Sequence, residues 1–92
     1  MYRKPLYTII ITLFSLVAIY AQDSSTKKGL DFYEKKNYAE ALKEFNNAIK
    51  SNPSDIEIYY YRANTFLAME EYKKAIADYS TVINSTLTDL QF

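Results

Sequence analysis

Gly29-Leu30-Asp31-Phe32-Tyr33-Glu34-Lys35-Lys36-Asn37-Tyr38-Ala39-Glu40-Ala41-Leu42-Lys43-Glu44-Phe45-Asn46-Asn47-Ala48-Ile49-Lys50-Ser51-Asn52-Pro53 is the stretch that decides the fold. Two short amphipathic helices fit it, with a turn at Asn37. The same pattern returns 34 residues later: Phe32 as Phe66, Tyr38 as Tyr72, Ala41 as Ala75, Ile49 as Ile83, Ser51 as Ser85 and Asp55 as Asp89. Conservative pairs fill the intervals, Gly29 with Ala63, Leu42 with Ile76, Glu44 with Asp78, Phe45 with Tyr79 and Ser54 with Thr88. A fixed period of this length in helical sequence predicts a stacked array of helical hairpins.

Composition narrows what such a chain can do. Its 92 residues allow one small domain. With 49% hydrophobic residues and no net charge, the chain is not of the disordered class. One Gly and two Pro leave little material for the turns of an all-β fold. Cys is absent, so there is no disulfide, thiolate nucleophile or sulfur metal site. His is absent too, which removes the commonest general base and the commonest imidazole ligand. Ten Tyr and five Phe make the core and the contact surfaces aromatic.

Outward from the repeats, the N-terminus differs in kind. Met1 to Tyr7 carries Arg3 and Lys4 and no acid; Tyr7 to Ala21 is then apolar apart from Thr8, Thr12 and Ser15. A basic start, a short apolar core and a small residue at its end describe a secretory signal peptide, with the cut after Ala21. A spanning helix needs about 17–25 apolar residues, so the run is short for one. Residues 1–21 therefore read as a signal peptide or, uncleaved, as a membrane anchor, and residues 22–92 as the helical repeat domain. That domain has nine basic against eleven acidic residues, a balance of −2 with no attraction for nucleic acid.

Within the domain, Ser24 or Ser25 is expected to cap a first helix running to about Lys36. Asn37 with Glu40 has the spacing of a capping box and opens a second helix. There Ala41, Leu42, Phe45, Ala48 and Ile49 share one face. Asn52-Pro53 ends it, because the residue before proline avoids helical geometry. Ser54 with Glu57 predicts a second capping box and a third helix over about 55–69. Glu70-Glu71 forms a turn, and a fourth helix over about 72–85 is expected to place Ala75, Ile76, Tyr79, Val82 and Ile83 inward. Thr88 with Gln91 repeats the capping spacing. Asn84-Ser85-Thr86 fits an N-glycosylation acceptor, which has meaning only in a eukaryotic secretory route.

These residues resemble the tetratricopeptide repeat family. Its pattern is a small residue, an aromatic three on, a Tyr at the turn, then Ala, an aromatic, Ala and Pro. Gly29, Phe32, Tyr38, Ala41, Phe45, Ala48 and Pro53 fill it in the first repeat. Tyr59, Ala63, Phe66, Tyr72, Ala75 and Tyr79 fill it in the second, where Val82 replaces the second Ala and Leu87 the Pro. The resemblance implies an all-α fold of antiparallel helical hairpins stacked as a short right-handed α-solenoid. Its repeats are at about 22–55 and 56–89, and a third starts at 90–92. The first turn of the first repeat is polar, with Ser25 and Lys28 where the second has Tyr59 and Arg62. Either the chain is a truncated product of a longer repeat protein, or it forms a homodimer through its uncapped C-terminal end.

For function, the family resemblance implies binding of a peptide or partner protein in the groove lined by the first helix of each hairpin. Asp23, Thr26, Leu30 and Tyr33, then Glu57, Tyr60, Asn64 and Leu67, stand at the matching positions. Tyr33, Tyr60, Asn64 and Leu67 are the expected partner-binding residues: the first two and Leu67 as anchors, Asn64 for a peptide backbone. Members that clamp the C-terminal carboxylate of chaperones use Lys and Asn there; Thr26 and Leu30 stand at the first repeat's positions, so that role is not implied. No catalytic residue, metal or cofactor is expected. The expected protein is an exported, extracytoplasmic, non-catalytic interaction module. Its alternative is a membrane-anchored assembly subunit that keeps Tyr7–Ala21.

Overall fold

The repeat of the sequence is a repeat of the backbone. The computed structural model describes residues 24–89, which form four helices: α1 over 24–34, α2 over Tyr38–Ser51, α3 over Ile56–Ala68 and α4 over Tyr72–Asp89. The expectations for residues 1–21 and for 90–92 lie outside the described residues; Ser24 and Ser25, expected to cap the first helix, are both already within α1. Among the described residues no helix is long and apolar enough to cross a membrane.

Both hairpins turn in the same way. The turn after α1 holds a residue in the left-handed region, Lys36, with φ of 61°. The Lys36 N–H donates to the Tyr33 carbonyl at 2.9 Å, and the Asn37 N–H reaches back to Phe32 at 2.8 Å. Thirty-four residues on, Glu70 has φ of 62°, and the Glu70 and Glu71 N–H groups donate to Leu67 at 3.0 Å and Phe66 at 2.8 Å. This paired bond pattern closes a helix and satisfies its last carbonyls. Here it also reverses the chain within three residues, so the helices of each hairpin run antiparallel. The first helix therefore stops two residues before the expected Lys36.

The expected capping boxes give way to other arrangements. Asn37 precedes α2 but makes no side-chain cap bond. Its own N–H is already spent on Phe32, so Glu40 has no donor to reach back to, and the reciprocal box cannot form. At α3 the cap is Asp55, one residue later than Ser54, and its carboxylate accepts from the Glu57 N–H at 3.2 Å. The turn through Pro53, closed by Asp55 N–H to the Asn52 carbonyl at 3.2 Å, sets this start. Thr88 is no cap: it lies inside α4, and its hydroxyl donates to the Asn84 carbonyl at 2.8 Å. With Leu87 where the first repeat has Pro53, nothing stops α4 near residue 85, and the helix continues to Asp89. The Asn84-Ser85-Thr86 pattern thus sits within a helix.

The core is centred on Phe45 of α2, which is fully buried with Ala41, Ala48 and Ile58; Leu30, Phe32, Tyr33, Ile49 and Tyr61 pack around it. α1 can approach so closely only because it carries Gly29 there. A Cβ on Gly29 would stand 2.5 Å from Cε1 of the Phe45 ring. In the second hairpin Ala63 and Ala75 are buried in the same way. The outer side of α4 differs from the expectation: Ile76 and Ile83 face solvent, 63% and 56% exposed, whereas Leu42 and Ile49 at the same positions of α2 are partly buried. The reason is a neighbour. α2 has α3 packed beside it, and among the described residues no helix follows α4.

Candidate functional site

Stacking sets α1 and α3 side by side, and a cleft opens between them. A cavity of about 180 Å³ is lined by Leu30 and Tyr33 from α1, Phe45 from α2, and Tyr61 and Asn64 from α3. Its position follows from helical spacing. Leu30 and Tyr33 stand three apart, as do Tyr61 and Asn64, so each pair falls on one face. Phe45, held under Gly29, provides the floor.

The aromatic groups on this surface form a pair and a chain of four. Tyr33 meets Tyr38 edge-on with ring centres 5.5 Å apart. Phe45 stacks on Tyr61 at 5.9 Å with 29° between the planes. Tyr60 joins Tyr61 at 6.0 Å and Tyr79 of α4 at 6.2 Å. The Tyr79 hydroxyl donates to Oδ1 of Asn64. Its removal from water raises the Tyr79 pKa, and the neighbouring Tyr60 and Tyr33 raise it further. The hydroxyl therefore stays protonated as a donor.

Of the four expected binding residues, the structure brings Tyr33 and Asn64 into one cavity. Tyr60 and Leu67 lie on the same stripe of α3 as Asn64, each 48% exposed. The Asn64 oxygen holds the Tyr79 hydroxyl, which leaves its amide N–H₂ as the donor side of that group. Tyr61 and Phe45 are lining residues that the sequence reading did not assign to the site. Tyr61 was one of three consecutive tyrosines, and only its inward helical angle, read together with Ile58, distinguishes it.

The opposite side of α3 has a different chemistry. Arg62 forms a two-pronged ion pair with Asp78 of α4, Nε to Oδ2 and the terminal nitrogen to Oδ1, both at 2.8 Å. It also donates to Oδ1 of Asn46 on α2 at 3.1 Å. Its charge lies 5.4 Å from the Tyr59 ring centre and 5.8 Å from that of Phe66, and Lys74 approaches Phe66 from 5.7 Å. The hydrogen bonds to Asp78 raise the Arg62 pKa above its ordinary value. Bonded to Asn46 and Asp78 at once, Arg62 ties α2, α3 and α4 together.

Paired antiparallel helices, a tight glycine approach and a cleft between first helices match what comparison with known proteins finds. The model of the TPR repeat family matches residues 29–70. Over that stretch the chain is similar to the TPR repeat family. The chain also aligns with the Hsp70-Hsp90 organising protein of Plasmodium falciparum (isolate 3D7). The two are 43% identical over 54 residues, which make up 59% of this chain and 10% of that protein. Hsp70-Hsp90 organizing protein 1 of Arabidopsis thaliana is 41% identical over 44 residues, 48% of this chain and 8% of that one. The Hsp70-Hsp90 organizing protein of Triticum aestivum is 30% identical over 56 residues, 61% of this chain and 10% of that one. The chain thus spans about a tenth of the length of each of these relatives. No solved structure matches the chain significantly.

Proposed function

We propose that this chain is a non-catalytic, exported protein-interaction module that takes a peptide or a segment of a partner protein in the cleft between α1 and α3. The observation that supports this best is the apolar cavity lined by Leu30, Tyr33, Phe45, Tyr61 and Asn64, continued along α3 by the half-exposed Tyr60 and Leu67. Exposed aromatic and aliphatic groups beside a preformed hollow are the arrangement from which interface hot spots are built. The relatives' names, organisers of Hsp70 and Hsp90, agree with a role in assembling proteins. No Lys or Arg lines the cavity. A terminal carboxylate held in such a groove needs a cation, so the ligand here is an apolar segment with its backbone met by the Asn64 amide. Export rests on Tyr7–Ala21, which reads as a signal peptide; the mature protein is then extracytoplasmic, secreted or periplasmic.

The test is a crosslinked capture with the chain and with a Tyr60→Ala, Leu67→Ala variant. Both side chains are exposed, so the variant folds. The expected outcome is a partner captured by the parent and lost by the variant. Equal capture by both removes the groove assignment. A second reading, a membrane-anchored assembly subunit, is favoured by the same Tyr7–Ala21 run. The mass of the protein recovered from cells separates the two, because cleavage after Ala21 removes the anchor.

A further inference from the structure

The outer face of α4 has no neighbour among the described residues. Ile76, Ile83 and Leu87 form one stripe that begins at Tyr72, and these side chains are 63%, 56%, 53% and 56% exposed respectively. Large exposed apolar groups scattered singly are ordinary, but four aligned along one helix mark a contact surface. The stretch from Tyr79 to Thr88 contains no charged residue, the depletion that distinguishes the centre of an interface.

The internal repeat shows what shape of occupant fits. Thirty-four residues earlier, α2 presents Leu42 and Ile49 at the positions of Ile76 and Ile83, and these are partly buried where α3 packs alongside. The face of α4 is thus complementary to an antiparallel helix. Charge then selects which helix. α4 has exposed Lys73 in its first turn, no acid in that turn and no basic residue in its last turn. Glu70-Glu71 precede that start, but the last turn has no cation of its own where the helix dipole favours one. A second α4 laid antiparallel corrects this, because each Lys73 then lies beside the other copy's last turn. No charges oppose each other along the middle of such a pair.

We propose that α4 pairs antiparallel with α4 of a second copy, about a two-fold axis passing between Tyr79 and Ile83. Ile83 of each copy then packs against Tyr79 of the other. A single helix pair falls at the low end of interface sizes, about 1,200 Å² or less, so association depends on concentration.

Sedimentation equilibrium of the full chain over a range of concentrations tests this. The expected result is a monomer–dimer equilibrium that Ile83→Lys weakens at least about ten-fold. Leu67→Lys, on the cleft side, leaves it unchanged. Ile83 is exposed, so circular dichroism is expected to show the variant folded. A spin label on Thr88→Cys reports direction: antiparallel copies hold the two labels roughly 20 Å or more apart, from a rise of about 1.5 Å per residue. A monomer at every concentration overturns the proposal. So does association indifferent to Ile83→Lys, the result expected if Tyr7–Ala21 or another apolar partner is responsible. Labels in close contact, as a parallel pair gives, also overturn it.

Discussion

At the scale of single residues, two positions determine how closely the helices meet. Gly29 is small because Phe45 occupies the space a Cβ would need, 2.5 Å from the ring. Helix propensity favours Ala over Gly by about 1 kcal/mol, while overpacking a fixed buried ring costs about 1–3 kcal/mol. Packing wins, which is why the only glycine of the chain sits inside a helix. Asp78 is the second position. Its side chain is 7% exposed and its cationic partner, Arg62, is 22% exposed. Asp78→Ala leaves that guanidinium without its counter-charge while Asn46 alone still accepts from it. Breaking a buried pair from one side costs about 3–5 kcal/mol; residual access of water to Arg62 puts this case at the lower end. Urea unfolding of Asp78→Ala is expected to show a loss of about 3 kcal/mol. A loss below that of an ordinary surface ion pair would mean the contact is not formed.

At the scale of elements, helix faces were legible in the sequence and helix ends were not. Ala41, Phe45 and Ala48 are buried together as their spacing requires, because the 3.6-residue period is a property of the helix alone. The caps depended on bonds made elsewhere. Asn37 cannot complete a box with Glu40 once its N–H is taken by Phe32, and no residue at the turn signals this. The two left-handed turn residues, Lys36 and Glu70, are not glycine, so the usual marker of such a turn is missing. That absence makes a prediction. A non-glycine residue in this region carries a cost of about 1–2 kcal/mol, of which glycine's freedom in the unfolded chain returns about 0.4–1 kcal/mol. Glu70 lies between the end of α3 and the start of α4, where its dipole effects oppose each other. Glu70→Gly is therefore expected to stabilise by about 0.5 kcal/mol and to raise the melting temperature slightly, while Glu70→Ala does not. Equal melting of the two variants would show that the turn is not strained.

At the scale of the whole molecule, the two hairpins differ in what stands next to them. The same stripe that α3 partly covers on α2 is open on α4, so Ile76 and Ile83 face water although their sequence positions match Leu42 and Ile49. Periodicity reports which residues share a face; it does not report whether a neighbour covers that face. The cleft shows the same division. Tyr33 and Asn64 could be read from repeat positions, since those positions fix the groove side of α1 and α3. Tyr61 and Phe45 could not, because their lining role arises only when the two hairpins stack. The Arg62–Asp78 pair, sixteen residues apart and on different helices, is likewise a product of stacking.

The central claim is that stacking of two hairpins of the same pattern makes a cleft between α1 and α3 that a partner occupies. Hydrogen–deuterium exchange of the full chain, alone and with the captured partner bound, tests it most directly. Added protection on α1 around Leu30–Tyr33 and on α3 around Tyr60–Leu67 is the result predicted. Protection confined to α2 or to the outer face of α4, with α1 and α3 unchanged, would contradict it.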